Sequence, residues 1–124
     1  MNKENKIIIA GVEYVPKSEV KEKATSLKGL KYVIVRTYSA GVFAGYVKSR
    51  KGKEVVMINA RKLWYWDGAA SLAELAVSGV SKPENCKFPI EVERIELMEA
   101  IEILDCTKVA QESIKSVPIW SAKE

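Results

Sequence analysis

Tyr32-Val33-Ile34-Val35-Arg36-Thr37-Tyr38-Ser39-Ala40-Gly41-Val42 decides the fold of this chain. The run from Tyr32 to Tyr38 is rich in β-branched and aromatic residues, which suit a pleated, half-buried surface. Ser39-Ala40-Gly41 can turn the chain back into a second run over 42–49. Lys51-Gly52-Lys53 makes another turn before a third run over 55–66. Connections this short join antiparallel neighbours, so the pattern predicts a three-stranded meander held by local hairpins.

Side chains alternate along a strand, which places Tyr32, Ile34, Arg36 and Tyr38 on one face of the first. On the third, strict alternation puts Val55, Met57, Asn59 and Arg61 together, with Val56, Ile58, Ala60 and Lys62 opposite. Arg36 and Arg61 therefore each interrupt an otherwise apolar or aromatic face.

Outward from the meander, Ile7–Ala10 and Val12–Val15 suggest two short strands about Gly11. Pro16 and Ser18 open a predicted surface helix, with Val20, Ala24 and Leu27 on one face and Gly29 as its stop. Ser71-Leu72-Ala73-Glu74 matches a capping box and predicts a short helix from Leu72 to about Ser78, ended by Gly79. Residues 92–97 alternate apolar and charged like a half-buried strand, and 101–104 continue the β character. The carboxylates between Glu91 and Glu102 fall on the solvated side of that pattern. Thr107 caps a last helix with Val109, Ala110, Ser113, Ile114 and Val117 in one stripe, closed by Pro118. Trp120, beyond it, needs an apolar surface on its own domain or on a second subunit. The expected architecture is α+β: an antiparallel meander sheet with a few short helices, the helical or C-terminal elements lying at a subunit interface. One ligand-binding domain spans 1–124, with a hairpin and surface helix over 1–29 and a core region over 30–120.

Composition narrows the chemistry. The chain has 124 residues, 48% apolar and 29% charged, with a net charge of +4, a globular profile whose modest positive field favours anionic partners. No apolar run approaches the roughly 20 residues of a membrane span, and Ile7-Ile8-Ile9-Ala10 is too short for a signal-peptide core, so the expected location is the cytoplasm. Cys86 and Cys106 lack metal or redox spacing and read as buried free thiols. Histidine is absent from the sequence. Ser-His-Asp and Cys-His nucleophile systems are thereby excluded, along with the commonest zinc ligand. No cofactor or metal is expected.

The densest group of recognition-type side chains is Arg61-Lys62-Leu63-Trp64-Tyr65-Trp66-Asp67-Gly68-Ala69-Ala70-Ser71. Aromatic faces stack on bases at roughly 1–3 kcal/mol each, and arginine pairs with phosphate bidentately. Free amides at a helix start attract anions, and Gly68, Ala69 and Ala70 leave room for close approach. Two readings are open here. In one the cluster holds a nucleotide. In the other Trp64 and Trp66 are core, and Ser71 and Glu74 only cap. Arg36 and Tyr38, entering the first turn, offer a second cation and a second stacking surface. Asp67 offers a carboxylate to a ribose or an adenine edge, although aspartate before glycine is also a common turn.

Residues 32–42 and 60–72, with Cys86-Lys87-Phe88 and Ala110-Gln111-Glu112-Ser113-Ile114-Lys115-Ser116-Val117-Pro118-Ile119-Trp120, resemble the first family of phage Thoeris anti-defence proteins over roughly 30–120. The resemblance implies a sponge that sequesters cyclic ADP-ribose isomers made by bacterial TIR-domain proteins, in the cytoplasm of the bacterial host. It also implies a homodimer or larger homo-oligomer, and in some members a separate site for cyclic oligonucleotides. Such a ligand carries a diphosphate, an adenine and ribose hydroxyls; binding it intact needs cations, an aromatic plate and polar groups, and no acid–base machinery. On that basis Arg36 and Arg61 are expected to hold phosphate. Tyr38, Trp64, Tyr65 or Trp66 is expected to stack on the base, and Asp67 and Ser71 to contact ribose. A small nucleic-acid-binding phage protein is the alternative, weakened because the lysines are scattered through turns instead of lining up with the aromatics. A carboxylate-based nucleotide hydrolase and a purely structural adaptor are further readings.

Overall fold

A computed structural model describes residues 22–122, together with the backbone of two short strands, β1 (Ile7–Ile9) and β2 (Val12–Tyr14). These two pair antiparallel, Ile7 opposite Tyr14 and Ile9 opposite Val12, as the Gly11 turn predicts. The meander comes next as β3 (Tyr32–Thr37), β4 (Val42–Lys51) and β5 (Glu54–Lys62). Helix α1 (Leu72–Ser78) leads through a 3-10 turn at Pro83–Asn85 to β6 (Val92–Leu97), β7 (Ala100–Asp105) and helix α2 (Lys108–Ser116). The fold is α+β: one five-stranded antiparallel sheet, ordered β6-β5-β4-β3-β7, and two short helices.

Strands β6 and β7 are consecutive in sequence yet form opposite edges of that sheet, with only Met98 and Glu99 between them. Three Cα–Cα steps reach at most about 11 Å. The edges of a flat five-stranded sheet stand about 19 Å apart. The sheet therefore curls until its edges meet at this end. Hydrogen bonds fasten the closure: the Ala100 amide donates to the Lys53 carbonyl and the Tyr38 amide to the Glu99 carbonyl, each at 2.9 Å.

Both faces of the curled sheet are apolar. One packs Tyr32, Ile34, Ala44 and Tyr46 against Leu75, Phe88, Ala110 and Ile114 beneath the helices. The other gathers Val33, Val35, Phe43, Val55, Met57, Ala60 and Leu97. This is why 32–35 reads as an unbroken apolar run: a strand buried on both sides has no solvent face to mark with polar residues.

Two expectations are corrected. Alternation along β5 fails at Asn59, whose φ of 47° lies in the left-handed region that asparagine tolerates. The β4–β5 register shifts between Ala44 and Tyr46, and a Cβ on Gly45 would stand 2.7 Å from the Ala60 Cα. This bulge reverses the facing of residues 60–62. Ala60 joins Val55 and Met57, while Arg61 pairs opposite Ala44 on the helix-covered face.

The predicted surface helix is the second correction. Its beginning, including Val20, lies outside the described residues, and 22–30 are not helical. Lys28 and Gly29, with φ of 51° and 83°, form a tight turn that pairs Leu27 with Leu30. Ala24 and Leu27 still reach the core, but from an extended segment. Tertiary bonds outweigh helix propensity here: the Gln111 side-chain amide donates to the Thr25 carbonyl and accepts from its amide, both at 2.8 Å, and the Ala24 amide donates to the Cys106 carbonyl.

The later helices form as the sequence indicates. Ser71 Oγ accepts from the Glu74 amide and Thr107 Oγ1 from the Ala110 amide, the N-cap bonds that satisfy otherwise orphaned donors. None of the described helices is long and apolar enough to cross a membrane.

Candidate functional site

The end of β5 organises the candidate site. Past Lys62 the chain pairs briefly with 87–88: the Lys87 amide donates to the Tyr65 carbonyl at 2.7 Å, and the Trp64 amide to the Lys87 carbonyl at 3.1 Å. The segment after α2 lies on the other side, with the Trp120 amide donating to the Phe88 carbonyl at 3.0 Å. Three pieces of chain far apart in sequence thus run side by side and bring Trp64, Tyr65, Lys87 and Trp120 together. Trp64 and Trp120 stack with ring centroids 5.0 Å apart and planes within 5°. They nevertheless remain 54% and 43% exposed. The Lys87 ammonium sits 5.3 Å from the Trp64 ring centre, 5.6 Å from that of Trp120 and 5.9 Å from that of Tyr65, within the range of cation–π attraction. The C-terminal tryptophan thus docks on its own domain.

Trp64 also borders a groove of about 340 Å³, walled by residues 39–42 of the β3–β4 turn on one side and by Lys62, Leu63, Trp64 and Trp66 on the other. Gly41 suits that turn because its φ of 103° is one that other residues rarely adopt; a Cβ there would meet only the movable end of Lys62, Cε at 2.8 Å. Lys62 extends from the sheet with its ammonium 5.8 Å from the Phe43 ring centre. The groove therefore joins an aromatic wall to a cation and to a turn carrying the Ser39 hydroxyl.

The expected site residues divide accordingly. Trp64 and Trp66 line this groove, Trp66 half-buried against the helix-side core. Tyr65 adjoins it through Lys87, and Tyr38 is exposed just before the turn. Arg36 is exposed on β3 and donates from Nε to Glu102 Oε1 at 2.8 Å.

Arg61 requires correction as a phosphate ligand open to solvent. It is only 6% exposed, and four of its five guanidinium N–H groups go to backbone carbonyls: Nε to Pro89 at 3.0 Å, Nη1 to Ile114 at 2.8 Å, and Nη2 to Phe88 at 2.9 Å and Pro118 at 3.4 Å. Burial holds it below its ordinary pKa. The guanidinium clamps the segments that carry Lys87 and Trp120, and it satisfies a carbonyl in the last turn of α2, where positive charge is favoured. Arg61 and Arg36 stand two strands and one residue pair apart, about 12 Å between Cα atoms, and do not converge.

The start of α1 is likewise corrected as an anion site. Ser71 and Glu74 cap it reciprocally, the Ala70 amide donating to Glu74 Oε1 at 2.7 Å, which places a carboxylate where an anion would have to sit. Gly68 offers no open approach, because a Cβ there would lie 2.6 Å from the backbone nitrogens of Ser81 and Lys82. Asp67 accepts from Asn85 Nδ2 at 3.0 Å, and its amide donates to Cys86 Sγ at 3.4 Å. Burial pushes the Cys86 thiol pKa up, so it stays protonated and packs as a turn-holding group.

A family model described as a domain of unknown function (DUF6948) matches residues 30–114. The chain belongs to the DUF6948 family. The DUF6948 match takes in the meander, both helices of the described core except the last residues of α2, and Lys62, Trp64 and Lys87; Trp120 lies beyond it. No curated protein and no solved structure matches the chain. Sequence reasoning missed Lys62 and Lys87 as contributors. Lys62 lies inside the Arg61–Ser71 cluster without an expected role there, and Lys87 meets Trp64 only through pairing between segments distant in sequence.

Proposed function

We propose that this DUF6948 protein captures a small phosphorylated molecule bearing an aromatic base, of the cyclic ADP-ribose class, and releases it chemically unchanged. One observation carries the reading: an exposed tryptophan, braced by a second and flanked by Lys87, forms one end of a groove that also contains Lys62. A preset aromatic face costs little ordering when a base stacks on it, and two lysines supply phosphate contacts without acid–base chemistry. The resemblance of the same segments to Thoeris anti-defence proteins supplies the ligand class. In this reading the protein acts in the bacterial host cytoplasm, withholds the signal from its effector, and encloses the ligand further by self-association.

Isothermal calorimetry with cyclic ADP-ribose isomers, followed by chromatography of ligand recovered from the heat-denatured complex, tests both halves. Saturable heat and intact ligand are expected, with Trp64→Ala weakening binding by about 1–3 kcal/mol. Absence of heat with every isomer would sink the capture reading, and recovery of a linear product would replace it with hydrolysis.

Single-stranded nucleic acid fits the arrangement less well. The cations Lys48, Arg50, Lys51 and Lys53 cluster at the β4–β5 tip, about 25 Å along the strand from Trp64. A stacking groove for a strand needs charge and aromatics interleaved.

A further inference from the structure

Arg61 and Lys62 leave β5 on opposite faces, so the clamp has surroundings of its own, away from the tryptophan groove. A second groove of about 380 Å³ opens there, lined by Arg61, Ile90, Glu91, Lys115, Val117 and Ile119. Both of its cations are bonded only to neutral oxygens. Arg61 faces four backbone carbonyls, and Lys115 Nζ donates to the Tyr46 hydroxyl at 2.7 Å. Among the described residues, neither forms an ion pair, and neither does Glu91. Burial holds the Arg61 guanidinium below its ordinary pKa, outweighing the support that Glu91 gives its charge from a distance, while Lys115 is exposed.

Donor capacity remains as well. A guanidinium has five N–H groups and an ammonium three; the bonds above leave one on Arg61 Nη1 and two on Lys115. Tyr46 cannot absorb them, since its hydroxyl already accepts from Gln111 Nε2 at 3.2 Å. Two cations and one carboxylate make the lining +1, which suits a single negative charge; a dianion would meet Glu91 uncompensated. The walls are apolar, with Ile90 and Ile119 63% and 60% exposed.

We infer that this groove binds the carboxylate of a small monoanion whose remaining body is apolar or aromatic, with Lys115 and the one remaining Arg61 N–H holding the head and Ile90 and Ile119 the body. The site is distinct from the tryptophan groove and does not depend on what that groove takes.

Titration of the ¹⁵N-labelled full chain with phenylacetate, followed by amide chemical shifts, tests the assignment. Saturable shifts are expected at Glu91, Lys115 and Ile119, with none from the neutral phenylacetamide and a weaker response to phenyl phosphate. Lys115→Met, at an exposed position, should lower affinity for phenylacetate about tenfold, the loss of a charge-assisted bond. Glu91→Gln should raise it, and Trp64→Ala should leave it unchanged. An equal response to phenylacetamide, no saturation, or unaltered affinity in Lys115→Met would overturn the site. Tighter binding of phenyl phosphate than of phenylacetate would overturn the choice of a monoanion.

Discussion

Arg61 and Trp64 stand three positions apart in the densest recognition-type stretch of the sequence, and the fold sends them to opposite fates. Arg61 is buried beneath α2, four of its five guanidinium N–H groups given to backbone carbonyls. Trp64 stays half in solvent, stacked on a tryptophan from the far end of the chain. The residue types usually associated with inside and outside have traded places. A buried arginine is tolerable because a guanidinium bonds several carbonyls at once: those of Pro89 and Pro118, and those of Phe88 and Ile114, which also accept from the Trp120 and Val117 amides. An exposed tryptophan pair leaves apolar surface in water, which is informative because it is unusual.

The most severe break in that contrast is Arg61→Met. Removing the guanidinium takes the donor from the Pro89 and Pro118 carbonyls and loosens those of Phe88 and Ile114, and a loss of about 2–4 kcal/mol is expected in urea unfolding. Near-ultraviolet circular dichroism should lose the tryptophan-pair signal as well, since Arg61 positions the segments carrying Lys87 and Trp120.

A second test probes burial elsewhere in the same core. Burial pushes the Cys106 thiol up to about 12 from 9.0, with Asp105 adding to the effect. Above pH 9 the unfolded chain sheds this proton while the folded one keeps it. The contribution is therefore complete below pH 9 and disappears as pH rises towards 12. Melting temperature measured across pH 8–11 should fall, and Cys106→Ala should fall less steeply.

On the exposed side the expected effects shrink. Trp120→Ala removes a stacked partner worth about 0.5–1.5 kcal/mol beyond its area, and should abolish the dichroism signal while the chain stays folded. If stability fell as far as in Arg61→Met, the pair would be core and the contrast would fail. Arg36→Ala, which breaks the solvent-exposed ion pair with Glu102, should cost less than about 0.5 kcal/mol, and less still in high salt.

The same contrast separates legible features from hidden ones. The hairpins of β3, β4 and β5 are readable because turn residues and β-branched runs act locally. So are α1 and α2, whose caps lie three residues from their targets. The predicted N-terminal helix misleads because its apolar spacing is met by an extended segment held by Gln111, 86 positions away from Thr25. Arg61 misleads because one left-handed asparagine reverses the alternation of β5.

The order and type of the elements from residue 30 onward, the caps of both helices and the absence of histidine chemistry come from the amino-acid sequence alone, since each rests on contacts between near neighbours or on composition. Tertiary structure alone decided the curling of the sheet, the burial of Arg61 and the meeting of Trp64, Lys87 and Trp120. Those outcomes depend on pairing between distant segments and on a single bulge, and no local pattern encodes which face a side chain takes once the register has shifted.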